Sequence, residues 1–310
     1  MQKEFIDAAL EERKQQMKEE NYRPRLLAVD EFAIHKGHSY ATCVMDLEGG
    51  EVIWVGKGRA KNDFAKFFEE TDPSFLSEVM AVAMDMNASY NKLVEQHLPN
   101  AKIVYDRYHM QAQYGKEVLG VVRLEEARKH KAAAASILAS VDKCAEKETK
   151  SKAKELAKAE KARYSELKRL RWPLLKNSIK LSDHGAEHLK SILAEHADLA
   201  VCYAMKEEMI RLFELSDVQK AYSGWVQWFA AAKSSGIPAL VRFAELKEKR
   251  IPGLAAHAAF QISTGRLEGF NNKIKVAKRI GYGYRNDEYF FSLIRFLSLP
   301  HVRTQSPKFP

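Results

Sequence analysis

The sequence predicts an α/β domain that a long all-helical segment interrupts. Three observations carry that expectation. Residues 25–110 alternate short apolar strand-like runs with helical patterns, residues 111–260 are patterned as helices without a strand signal, and a helix headed by a single acid begins near residue 263. A chain of 310 residues that is 46% hydrophobic can build a sizeable core in one large or two ordinary domains.

Residues 1–22 read as a charged helix, without the apolar stretch of a signal peptide. Arg25–Phe32 is a continuous apolar run, as a central strand buried on both faces would be. It nevertheless runs into Asp30 and Glu31, and a buried carboxylate needs compensation. Ser39–Leu47 and Glu51–Lys57 read as two further strands, joined by a hairpin at "DLEGGE" with Gly49 and Gly50 supplying positive φ. Phe64, Phe67 and Phe68 recur at helical spacing, with Asn62 as the expected N-cap. Val79–Met84 runs into Asp85, and Lys102–Tyr105 into Asp106. The helix "NASYNKLVEQHL" lies between these two, closed by Pro99 and Asn100.

The helical segment breaks weakly at Trp172-Pro173, Ser234-Ser235-Gly236 and Ile251-Pro252-Gly253. After it, Ser263 and Thr264 open a helix with an apolar stripe of Leu267, Phe270, Ile274 and Ala277. Glu268, Asn272, Lys275 and Arg279 share a neighbouring polar face, and "YRNDEYFFSLIRFLSLP" reads as a closing apolar helix. The expected organisation is an N-terminal helix (1–22), the first part of the α/β domain (23–110), an all-α insertion (111–260) and the second part of the α/β domain (261–310).

The net charge of +9 and pI near 9.2 call for an anionic partner. Fifteen Lys and Arg face eight Asp and Glu over residues 123–171, and nine face three over 264–310. Nucleic acid is the favoured partner for such a tail. The three cysteines, Cys43, Cys144 and Cys202, have no metal-like spacing or disulfide framework, so a reducing compartment fits. No 18-residue apolar span is present, and the expected location is the cytoplasm.

Asp30, Asp85 and Asp106 each end a strand-like run, and ligands of open α/β sheets sit beyond the carboxyl ends of strands. Glu268 stands alone at the head of a basic helix. Converging carboxylates of this kind suit hard divalent cations, and a pair of such ions can drive phosphoryl transfer. Asp106 competes with Asp85 for the second position, and His109 follows it in "DRYH".

Four ordered blocks, "LLAVDEFAIHKGHSYATCVMD", "AMDMNASY", "LPNAKIVYDRYHM" and "GRLEGFNNKIKVAKRIGYGYRN", resemble the signature blocks of bacterial insertion-sequence transposases of the ISL-three family. The resemblance spans roughly residues 23–300. It implies a ribonuclease-H-like α/β fold: a mixed sheet flanked by helices and interrupted by an all-α insertion. It also implies two Mg²⁺ ions, or Mn²⁺, on a catalytic triad of Asp30, Asp85 and Glu268, with Asp106 and His109 in support. DNA cleavage and strand transfer at insertion-sequence ends would be the activity. The implied partners are DNA, both transposon ends and target, and further copies of the chain on it; no membrane is implied. Lys36, Lys273, Lys275, Lys278, Arg279 and Arg285 are the candidate backbone-phosphate contacts, which position DNA without reading its sequence. Tyr282 and Tyr284 are candidates for stacking on an unpaired base.

Transposases of that family carry an N-terminal zinc-finger and helix-turn-helix region. Here about two dozen residues precede the first strand, with no Cys/His cluster among them. The expectation is a catalytic fragment or a truncated copy without specific end recognition. Two other readings stand beside it: a DNA-binding regulatory derivative without catalysis, and a structure-selective nuclease of the same fold.

Overall fold

Leu27, Ala28 and Val29 of β1 (Leu26–His35) are consecutive and all buried, so this part of the strand is covered on both faces, and the sheet forms around it. The computed structural model describes residues 2–35, 39–141 and 146–300, so Lys36 and Cys144 lie outside the described residues. The chain divides into two compact units, one running to Arg107 and resuming at Gly253, the other spanning Tyr108–Pro252.

The first unit opens with α1 (Gln2–Glu19), then β1, β2 (Ser39–Asp46) and β3 (Glu51–Lys57). α2 (Lys61–Glu70), β4 (Ala81–Met84), α3 (Ala88–His97) and β5 (Lys102–Tyr105) follow. The sheet has the order β3-β2-β1-β4-β5, antiparallel among β1, β2 and β3 and parallel from β1 through β4 to β5. This is the mixed α/β architecture expected of a ribonuclease-H-like fold with a helical insertion. Gly50, at φ 71°, provides the positive φ of the β2–β3 turn, and Gly49 does not share it.

Two expected details differ. β1 does not end at its acids but continues to His35, because β2 stays paired with it through Ser39 after β4 has left at Ala28. The α2 N-cap is Ala60 and not Asn62; Asp63 instead reaches back to accept the Ala60 N–H at 2.8 Å.

Side chains alternate across a strand, so the register decides what each face carries. Leu27, Val29, Val82 and Met84 pack with Phe64, Phe67 and Phe68 of α2 and Tyr90, Leu93 and Val94 of α3. Ala28, Phe32, Ile34, Cys43 and Ala83 face the other way, toward two late helices. In the second unit, α4 (Arg107–Tyr114), a π-helical turn at Gly115–Leu119 and α5 (Gly120–Ala139) run on from one another. α6 (Lys147–Arg169), α7 (Arg171–Leu175), α8 (Asp183–Glu195), α9 (Ala197–Phe213), α10 (Val218–Ser234) and α11 (Pro238–Lys247) complete it, around a core of Trp225, Trp228, Phe229 and Phe243. α12 (Ile251–Ala256) leads back to the first unit. There α13 (Gly265–Ile280) and α14 (Asp287–Ser298) cover the second sheet face with Leu267, Phe270, Ile274, Phe290 and Ile294.

Candidate metal centre

The parallel register brings three acids to one end of one sheet face. Ala28 pairs with Ala83, and Ala83 with Val104. Asp30, Asp85 and Asp106 each lie two residues beyond one of these, on the side of the sheet that α13 covers if the strand alternation continues. Neighbouring strands are about 4.8 Å apart, so the register alone makes the three carboxylates neighbours.

Asp106 is the most enclosed of them, at 1% exposure, whereas Asp30 and Asp85 are half-buried. Its Oδ2 accepts the backbone N–H of Thr264 at 2.9 Å, tying the end of β5 to the residue that precedes α13. One turn into that helix, a Glu268 carboxylate oxygen lies within 4.8 Å of one from Asp106. Two carboxylates 162 residues apart in the chain thus meet within a cation's reach. His109 falls on α4, three residues after Asp106, and is half-buried.

Asp30 is held from two directions. Its Oδ1 accepts the Glu31 N–H at 2.8 Å, and its Oδ2 accepts Asn271 Nδ2 at 2.8 Å. Asn271 stands one turn beyond Glu268, so a single helix presents an acid to β5 and an amide to β1. The Asn271 Oδ1 and Thr264 Oγ1 atoms are buried and have no hydrogen-bond partner among the described residues. Buried oxygens without a donor are costly unless a polar occupant serves them. Carboxylate oxygens are the donors that Mg²⁺ and Mn²⁺ select. The residues therefore fit a hard divalent cation.

The second acid of the opening pair has a separate role. Glu31 faces the α2 and α3 side, where burial first, and then the Glu31 charge and hydrogen bond, hold the Tyr90 hydroxyl above its ordinary range. Cys43, opposite Asp30 on β2, is a fully enclosed thiol held protonated by burial and by the Asp30 charge.

The basic residues of α13 do not all share the Glu268 face. Lys275 and Arg279 are exposed and lie within about 20° of it around the helix, whereas Lys273 is about 140° away. Lys278 bends back onto β1, where its Nζ donates to the Ala33 carbonyl at 3.2 Å and burial lowers its pKa. Arg285 is exposed beyond the helix, and Lys36 lies outside the described residues. Tyr284 stacks on Phe290 at 4.7 Å as part of the core, whereas Tyr282 is fully exposed.

As site residues, Asn271 and Thr264 are not singled out by the sequence, which marks Thr264 only as a helix start. Their one signal is the i, i+3 spacing of Asn271 from Glu268, and the adjacent Asn272, which fits the outward polar stripe, masks it. Among the described residues no helix is long and apolar enough to cross a membrane.

Comparison with known proteins adds an independent line. The family model DDE_Tnp_ISL3, described as a transposase, matches residues 27–294. The chain is 36% identical over 269 residues to the transposase for insertion sequence element IS1001 of Bordetella parapertussis, covering 87% of this chain and 60% of that protein. It is 25% identical over 282 residues to the transposase for IS1557 of Mycobacterium tuberculosis, covering 90% of this chain and 61% of that protein. The chain thus spans less than two thirds of the length of these curated relatives.

Proposed function

The chain belongs to the ISL3 transposase family, and from that membership we propose that its α/β unit cuts DNA and joins strands at insertion-sequence ends, using divalent metal ions. The observation that carries the proposal is the meeting of Asp106 and Glu268 beside the tethered Asp30. Asp106 and Glu268 hold a metal on one side and Asp30 on the other, with Asp85 beside them at the end of β4 and His109 in support. This makes Asp106, and not Asp85 alone, a metal ligand. Bound there, Mg²⁺ or Mn²⁺ supplies charge neutralisation at the phosphate and a more acidic nucleophile.

The chain's own residues do the positioning. Asn271 fixes the Asp30 carboxylate, and the Thr264 N–H fixes that of Asp106. Lys275 and Arg279, on the Glu268 face, hold the DNA backbone, with Arg285 beyond them. In hydrolysis, water oxygen bonds to phosphorus and the P–O3′ bond breaks, leaving a 3′ hydroxyl and a 5′ phosphate. In joining, that 3′ hydroxyl bonds to a target phosphorus and a target P–O3′ bond breaks, so the number of phosphodiesters is conserved. DNA ends, target DNA and assembly of several copies on them belong to the same proposal.

The test is cleavage and joining of a labelled duplex carrying an insertion-sequence end, in Mg²⁺ or Mn²⁺. The proposal predicts a nicked product followed by a joined one. Binding without cutting would replace it with the regulatory reading, and cutting without joining with the nuclease reading.

A further inference from the structure

We infer that an open cavity along the edge strand β3, distant from the carboxylates, is a phosphate-binding site with Arg295 as its inner ligand. The cavity encloses about 470 Å³ between α1, β3, the end of α2 and α14. That lies within the roughly 300–1,000 Å³ of small-molecule sites. β3 and β5 are opposite edges of the sheet, so this site does not rest on the proposed activity.

The cations and acids of this cavity are unevenly committed. Glu51 is engaged by Arg13, through Nη2 at 2.7 Å and Nε at 3.1 Å. Glu70 accepts Trp54 Nε1 at 2.7 Å, and Asp72 accepts the Ser74 N–H at 2.8 Å. Glu11 meets Lys14 at 3.8 Å. Each lining acid therefore already has a partner. Arg295 does not: its Nε is shut off from solvent with no hydrogen-bond partner, and its guanidinium makes no ion pair among the described residues. Burial outweighs the favourable charge of Glu11 and pulls its pKa down.

A half-buried guanidinium whose enclosed Nε has no acceptor is costly, and its planar fork matches phosphate oxygens in a bidentate manner. Lys18 and Arg23, which also line the cavity, add positive charge, part of which Asp72 offsets. Leu10 and Leu299 line it too and pack in one small apolar cluster, a low-dielectric wall that strengthens a charge-assisted hydrogen bond. The phosphate could belong to free phosphate or to a DNA backbone, and the chemistry at Arg295 is the same for both.

Thermal unfolding in inorganic phosphate and in chloride, matched for ionic strength, tests the site. Phosphate near a hundred times its Kd raises the parent's Tm by about 3–5 °C over chloride. Arg295→Met keeps the stem packing, loses that rise, and is no less stable than the parent in chloride. Lys18→Gln combined with Arg23→Gln provides a second readout that does not touch the core, and it diminishes the rise. Anisotropy of a labelled duplex then separates the sources. Weaker DNA binding by Arg295→Met assigns the phosphate to DNA, and unchanged binding assigns it to free phosphate. No phosphate-specific rise in the parent, or a rise that persists in Arg295→Met, would overturn the site.

Discussion

Asp106 is a carboxylate that a backbone N–H anchors and a second carboxylate approaches. On the proposed function, such an arrangement makes its removal felt at the metal before it is felt in the fold. Asp106→Asn keeps the Thr264 contact and removes the charge; DNA cleavage should fall about a hundredfold or more, with little change in Tm. Asn271→Ala removes the donor to one Asp30 oxygen without touching an acid, and cleavage should fall about tenfold, in the range found when the residues behind metal ligands are altered. A rate that Asn271→Ala leaves unchanged would remove the amide from the account. The candidate acids were readable from the sequence because three strand-like runs end in Asp and one acid heads a basic helix; a single strand-end Asp is ordinarily a turn or cap residue. The sequence left Asp85 and Asp106 as rivals for the second position, because both end adjacent strands in the same register; the deeper burial of Asp106 and the approach of Glu268 come only with the packing of α13.

The helices α13 and α14 hold the site from the far side of the chain. Leu267, Phe270 and Ile274 press α13 onto β1 and β4, and the apolar stripe that predicted this was visible in the sequence. Ile274→Ala should cost about 2–5 kcal/mol in urea unfolding, and cleavage should decline with it as Glu268 and Asn271 lose their platform. The start of α14 is fastened electrostatically. Asp287 meets Lys57 at 2.7 Å and His35 at 3.2 Å, and the Lys57 contact, followed by that of His35, holds its carboxyl below the ordinary range. A depressed carboxylate stabilises the fold above its unfolded pKa and loses that contribution as pH falls through the folded value. The urea midpoint of the parent should therefore drop relative to that of Asp287→Asn below about pH 4 and run parallel to it above. Parallel curves across that window would show that the pair contributes nothing. This fastening was not legible in the sequence, since Lys57, His35 and Asp287 are brought together only by the packing of α14 against β3.

Over the whole molecule, strand order follows from a few local rules. The β2–β3 turn dictates one antiparallel pairing, and the helices between β1 and the later strands dictate parallel ones, so the α/β class could be read early. The boundaries at Ala60 and His35 could not, because tertiary pairing and a side chain three residues along decide them. The +9 charge favours an anionic partner, and on the proposed function that partner is DNA. Removing one cation from a DNA phosphate lowers the slope of log K against log salt by about 0.9, so Lys275→Gln with Arg279→Gln should flatten it by about 1.8. Lys273→Gln, on the other side of α13, should leave the slope unchanged. Whether Asp106 and Glu268 hold a divalent cation is read out by Mn²⁺ titration followed by electron paramagnetic resonance. The parent should bind Mn²⁺, and Asp106→Asn and Glu268→Gln should each weaken that binding about tenfold or more. Mn²⁺ binding that both variants leave intact would contradict a cation held by these two acids.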